Sequence, residues 1–171
     1  TRRGISNKKP IIGQYDINRE GSGDMYSKGA NLLHTIRQLA EDDELWRQTL
    51  RGLNEEFYHS TVTTKEIENY ISKSIGVDLS KVFDQYLRDV RVPIFEYEIS
   101  NGELKYRWNN VIDGFDMPIE VIIDGKNTII NPSTEFKKIP IKNLFINVDD
   151  DYYIFTKDLK IITQGWVISC F

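Results

Sequence analysis

RVPIFEYEISNGELKYRW, Arg91 to Trp108, is where this chain changes its grammar. Only Pro10 precedes it, whereas Pro93 opens it and Pro118, Pro132 and Pro140 follow. Within it Ile94, Glu96 and Glu98 alternate with Phe95, Tyr97 and Ile99, the two-residue period of a strand. Asn101-Gly102 is a pair that tolerates positive φ at both positions, as a two-residue hairpin turn requires. The stretch therefore predicts a hairpin that pairs Ile94–Ile99 with Leu104–Trp108.

Downstream the same pattern repeats. Ile119–Ile123, Asp124-Gly125 and Asn127–Ile130 make a second hairpin. Phe136–Ile139, Leu144–Val148, Tyr152–Phe155 and Lys160–Thr163 are further strand candidates. Seven or eight short strands with regular turns predict an antiparallel β-sandwich over residues 93–171. Asp149-Asp150-Asp151 reads as an acidic turn, since it lacks the spaced ligands and glycine of a calcium loop.

Upstream the period is helical. Asp78 is the expected cap of a helix that turns Leu79, Val82, Phe83, Tyr86 and Leu87 inward. Before it, Thr63 and Glu66 have capping-box spacing, Ile67, Tyr70, Ile71 and Ile75 form the apolar face, and Gly76 is the expected C′ residue. Asp42-Asp43 precedes a helix whose Trp46, Leu50, Leu53 and Phe57 line one stripe. Short connections make these helices antiparallel neighbours. The expected fold class is α+β in two parts: an antiparallel helical unit over residues 1–92, then the β-sandwich.

The first of the helices, GDMYSKGANLLHTIRQLA at Gly23–Ala40, carries the chemistry. Asp24 is placed to N-cap it, Tyr26 falls in its first turn, and Gly29 would let another backbone approach. Met25, Leu32, Leu33, Ile36 and Ala40 recur on one face; Ser27, Asn31, His34, Gln38 and Glu41 share the other. A phenol beside the free N–H groups of a helix start sits in a positive field, suited to donating toward developing negative charge. Residues 1–22 read as an extended polar loop with Arg2, Arg3, Lys8 and Lys9, entering the helix through Gly21-Ser22-Gly23.

Composition narrows the function. Of 171 residues, 40% are hydrophobic and 28% charged, ordinary for a globular chain that buries a real core. Residues 1–92 are balanced, with 14 Lys/Arg against 14 Asp/Glu, so the net charge of −4 comes from the second half. That distribution disfavours a nucleic-acid partner. No apolar run approaches the ~20 residues of a transmembrane helix. Cys170 is the single cysteine, so no internal disulfide forms. His34 and His59 lack the spacing of a helix-borne zinc pair, and no serine or cysteine has a catalytic partner motif. Residue types alone supply no complete active site.

Asp24-Met25-Tyr26-Ser27-Lys28-Gly29-Ala30, followed by Leu32-Leu33, resembles the Y-x-K-G-x-x-L-L helix of the aminopeptidase N family. These are gluzincin-type zinc metallopeptidases, a group that includes leukotriene-hydrolase-like enzymes. The likeness continues through Trp46, the Thr61–Ile67 segment, Phe83–Leu87 and Pro93. In that family the tyrosine matching Tyr26 donates a hydrogen bond to the tetrahedral intermediate at the zinc. The family's H-E-x-x-H, its distant Glu and its G-x-M-E-N loop do not occur here. The resemblance thus implies the C-terminal portion of such an enzyme, with residues 1–92 ending its catalytic domain. It implies zinc in the parent protein and none bound by this chain, peptide substrates in the parent, and the missing N-terminal part of the catalytic domain as partner. Compartment stays open, the resemblance favouring the periplasm or secretion.

Three classes of function follow from these residues. One is an aminopeptidase fragment that supplies Tyr26 and is inactive alone. Another is a family-derived scaffold without catalysis. The third is an independent binding module with Tyr106, Trp108, Tyr152 or Tyr153 as an aromatic platform. The first carries a direct expectation: after dialysis, metal analysis of this chain should read well below one equivalent of zinc. Stoichiometric zinc held by His34 or His59 would overturn it.

Overall fold

The computed structural model describes residues 2–13, 22–40, 42–143 and 145–162. It is an α+β fold, with helices in the N-terminal part and strands in two sheets after them. Two compact units divide the chain: Thr1–Val92 with Asp150–Tyr153, and Pro93–Asp149 with Ile154–Phe171.

The helical unit contains α1 (Asp24–Leu39), α2 (Asp43–Glu56), α3 (Thr64–Ile75) and α4 (Ser80–Phe83), the last continuing as a π-turn over Asp84–Arg88. Local chemistry sets most of these boundaries. The Asp42 carboxylate accepts from the Leu45 N–H at 2.7 Å and caps α2. Thr63 and Glu66 form the expected capping box, each side chain bonding the other's backbone N–H. Gly76 ends α3 at φ 73°, where a side chain would be strained. Asp78 differs from expectation: it accepts from the Ser80 N–H, and Leu79 occupies the N-cap of α4 with no side-chain bond. That helix keeps only one α-turn before the π-turn.

Leu32, Ile36, Ile71, Ile75, Leu79, Val82, Phe83 and Tyr86 are buried together with Trp46, which the apolar stripe placed in the core. Leu50, from the same stripe, is exposed; Thr49 is buried instead, its hydroxyl satisfied by the Leu45 carbonyl at 2.9 Å. Close approach occurs at Gly52, where a Cβ would collide with the Tyr70 hydroxyl oxygen. The Tyr70 ring also meets Phe57 edge-to-face, with centroids 5.6 Å apart.

Tyr152 and Tyr153 correct the strand reading. They lie in a turn within the helical unit, and the strand begins only at Phe155. The Tyr153 N–H donates to the Thr35 hydroxyl at 2.9 Å, and the buried Tyr86 phenol donates to its carbonyl at 2.7 Å. Arg2 donates to the carbonyls of Tyr152 and Asp150, and Asn7 to the Tyr153 hydroxyl. These partners are remote in sequence, so no local pattern announces them.

The strand unit has β1 (Ile94–Ser100), β2 (Glu103–Asn109), β3 (Ile119–Ile123), β4 (Lys126–Ile130), β5 (Lys137–Pro140), β6 (Ile146–Val148) and β7 (Phe155–Asp158). They form sheets of order β5-β2-β1-β7 and β4-β3-β6, antiparallel except where β7 runs parallel to β1. Both expected hairpin turns are present, with Asn101 and Gly102 at φ 52° and 76° and Asp124 and Gly125 at 53° and 76°. The segment expected as a strand from Lys160 is instead one helical turn, α5 (Leu159–Ile162), started by Asp158 accepting from the Lys160 N–H. Leu144, Thr163, Gly21, Glu41 and Cys170 lie outside the described residues.

Phe95, Leu104, Trp108, Phe115, Met117 and Ile119 fill the core of this unit, the Trp108 indole donating to the Met117 carbonyl at 3.0 Å. Glu96 is 1% exposed, although it sits among the polar residues of β1. Its carboxylate accepts from Arg107 on β2, Asn109 on β2 and Lys157 on β7, each at 2.9 Å. Burial alone would raise its pKa; the Lys157, Asn109 and Arg107 bonds hold it at about 2, below its ordinary 4.5. The folded carboxyl therefore titrates below the unfolded one. Its contribution is complete above pH 4.5 and declines as pH falls toward 2. Glu96→Gln should cost about 2 kcal/mol at pH 7, and the gap to wild type should narrow in urea titrations at pH 4.5 and then 3. A gap that stays constant with pH would rule out the ionised carboxylate as the pin.

Candidate functional site

Tyr26 stands on the first turn of α1 and is 77% exposed. The turn beneath it is held differently from the sequence expectation. Asp24 does not cap the helix: Gly23 is the N-cap residue, with no side-chain bond, and Ser22 accepts from the Asp24 and Met25 N–H groups. Asp24 itself is 4% exposed. Its carboxylate accepts from the Ser6 N–H at 2.9 Å, the Ser6 hydroxyl at 3.1 Å and the Asn7 N–H at 2.7 Å. Burial would raise this carboxyl, but the Ser6 and Asn7 bonds, with Lys28 nearby, hold it below its ordinary value.

One turn on, Lys28 is completely buried and donates from Nζ to the Asp89 carbonyl at 2.9 Å. Burial lowers its pKa, opposed by the charges of Asp24 and Asp89. The Asp89 carboxylate is in turn gripped by the Arg91 guanidinium at 2.9 Å. The inner face of α1 is thus Asp24, Lys28, Asn31, Leu32, Thr35 and Ile36. Met25 and Leu33, expected inside, are 39% and 44% exposed. Apolar spacing pointed one way; the buried polar groups rotated the helix so that their remote partners could be reached.

Met25, Tyr26, Gly29, Leu33, Ile67 and Leu87 line part of an open groove of about 450 Å³ within the helical unit. Gly29 was read as a point of close approach, yet a Cβ there would meet nothing within 4 Å. Glu68, also on this groove, is 4% exposed and pairs with Arg88 at 2.6 Å. His34 lies elsewhere, facing Asp151 at 3.1 Å across a polar hollow that Arg2 and Arg3 also line. His59 follows α2 at φ 51°, against the Tyr58 ring. Among the described residues, no group of three or more His, Cys, Asp or Glu is arranged to hold a metal ion. No helix among them is long and apolar enough to cross a membrane. Sequence reading gives Lys28 a packing and helix-orientation role and Asp24 a cap; the burial of both is what it misses. A charged pair at i, i+4 signals proximity but not burial.

No protein-family model matches the chain, and no curated protein matches it. Among solved structures it is similar to Legionella pneumophila aminopeptidase A, crystallised in complex with aspartic acid, at a TM-score of 0.57 and 14% identity. The likeness covers 80% of this chain but 18% of that one, so it shows a fold shared with a portion of an aminopeptidase.

The two glycines separate by substitution. Gly29→Ala, in open space, should stabilise this chain by about 0.5–1 kcal/mol through helix propensity. Gly52→Ala should destabilise it by about 1 kcal/mol, because strain at the Tyr70 hydroxyl exceeds the propensity gain. Adding Tyr70→Phe should relieve that loss. Urea unfolding of the three variants is the check, and a destabilising Gly29→Ala would contradict the open groove.

Proposed function

We propose that this chain is a portion of a zinc-dependent aminopeptidase that removes N-terminal residues from peptides, and that Tyr26 is its catalytic contribution. The observation carrying the reading is an exposed phenol on the first turn of α1, in a chain whose fold is similar to part of an aminopeptidase. The motif around Tyr26 supports the finer assignment to the aminopeptidase N family.

The described residues do not form a zinc site, so the proposal assigns the metal ligands and the general base to the remainder of the polypeptide. Zinc in such enzymes polarises the scissile carbonyl and activates water. This chain's own part is narrower. As water attacks, negative charge builds on the carbonyl oxygen, and the Tyr26 hydroxyl donates a hydrogen bond to it. A donor placed in advance lowers the barrier because its bond strengthens in the transition state, at ~3–4 kcal/mol for one donor. The groove beside Tyr26, with Met25 and Leu33 facing outward, is the surface on which the preceding part of the same catalytic domain would rest. Alone, the chain is inactive.

In the full-length, zinc-loaded protein, Tyr26→Phe keeps the ring and deletes the donor. Turnover on aminoacyl amide substrates should fall by about two to three orders of magnitude. KM should change little, and folding stability should hold within ~1 kcal/mol because the hydroxyl is exposed. Tyr58→Phe, at an equally exposed ring after α2, is the silent control. Unchanged turnover in folded Tyr26→Phe would leave the hydroxyl structural and give the non-catalytic scaffold first place.

A further inference from the structure

We propose that Asp24 and Lys28 are positioning residues that fix the direction of the Tyr26 phenol, an inference resting on the reading of Tyr26 as a donor. Asp24, Tyr26 and Lys28 are spaced i, i+2 and i+4. On a helix the first and last therefore share one side, and the middle residue points away from them. The structure matches this: Asp24 and Lys28 are 4% and 0% exposed, whereas Tyr26 is 77% exposed. The phenol itself is on the outside, so its direction depends on how firmly the helix beneath it is held.

That hold consists of hydrogen bonds made by charged groups and is anchored in two different places. Asp24 ties the helix start to the chain at Ser6 and Asn7 through three hydrogen bonds. Lys28 ties the next turn to the carbonyl of Asp89, just beyond the π-turn. The two side chains also attract one another across one helical turn. An apolar residue in place of Lys28 would bury as much surface without the cost of desolvating an ammonium. What it would lack is direction. Apolar packing tolerates a small rotation or slide of a helix, whereas a hydrogen bond from Nζ to one carbonyl does not. Gly23 offers no side-chain cap, so beyond the Ser22 bonds to the Asp24 and Met25 N–H groups it is the pair that defines the helix start. A displacement of about 1 Å at a catalytic group costs on the order of 100-fold in rate, which makes such definition consequential.

The test has two arms. In this chain, amide hydrogen exchange is compared between wild type and Lys28→Met, with Asp24→Asn as the second variant should the first not fold. Exchange at Ser27–Gly29 should rise at least tenfold while the α3 amides keep their protection. A uniform rise through the helical unit would mean the pair contributes stability only, and would overturn the proposal. In the full-length zinc-loaded protein, Lys28→Met should lower kcat by about 10- to 100-fold with KM within twofold, and Lys28→Arg should recover part of it. Glu96→Gln, which breaks a buried ionic cluster in the strand unit, should leave kcat unchanged. Wild-type kcat in Lys28→Met, alongside an impaired Tyr26→Phe, would overturn the positioning role alone. Wild-type turnover in Tyr26→Phe would instead remove the donor reading on which it rests.

Discussion

Backbone polar groups buried among helices must find hydrogen-bond partners, and in this protein the N–H and the carbonyl of Tyr153 both find theirs in side chains. Thr35 on α1 accepts from its N–H, and the Tyr86 phenol on the π-turn donates to its carbonyl. Neither Thr35 nor Tyr86 is exposed at all. Removing either partner would strand a buried polar group, at a cost of about 1–3 kcal/mol. Much of the helical unit is arranged around that requirement. Thr35 must point inward, which sets the rotation of α1. That rotation carries Asp24 and Lys28 inward as well and leaves Met25, Tyr26 and Leu33 outside.

Both units solve the problem of a buried charge in the same way. Glu96, Glu68 and Lys28 are nearly or wholly buried, and each is answered by a partner outside its own element. Glu96 holds three strands together, Glu68 joins α3 to the π-turn through Arg88, and Lys28 joins α1 to Asp89. A buried ion of this kind is weak evidence for added stability, because desolvation offsets the attraction. Its value is specificity: alternatives that move the partner away leave a charge uncompensated. For Lys28 the specificity falls under the turn that presents the exposed Tyr26 phenol.

What could be read in advance was whatever neighbouring residues decide between themselves. The Thr63–Glu66 capping box, the Gly76 helix end and both positive-φ hairpin turns depend on three or four consecutive residues. Their chemistry is complete in the sequence. Asp78 and Lys160 depart from expectation through local bonds, to Ser80 and Asp158; the errors around α1 and the tyrosine pair involve a distant partner. Asp24 has the composition of a cap, but Ser6 and Asn7 claim its carboxylate. Gly29 has the look of a contact point, while the actual approach, Tyr70 on Gly52, joins two helices. Tyr152-Tyr153 has strand propensity, but its hydrogen bonds go to helices. The resemblance around Tyr26 identified the exposed phenol without disclosing the ions beneath it.

The discontinuity of the helical unit bears on how the chain is made. Synthesis proceeds from the N-terminus, and residues 93–149 emerge between the last helix and the tyrosines that complete it. Until Tyr153 leaves the ribosome, Thr35 and Tyr86 face a space whose proper occupant has not yet emerged. In that interval the helical interior stays open, without the Tyr153 N–H and carbonyl that Thr35 and Tyr86 bond in the folded unit. Closing it requires a long loop to return, the kind of non-local step that slows folding. A ribosomal pause before Tyr153 has cleared the exit tunnel would prolong the exposure of this interior, and a later one would not.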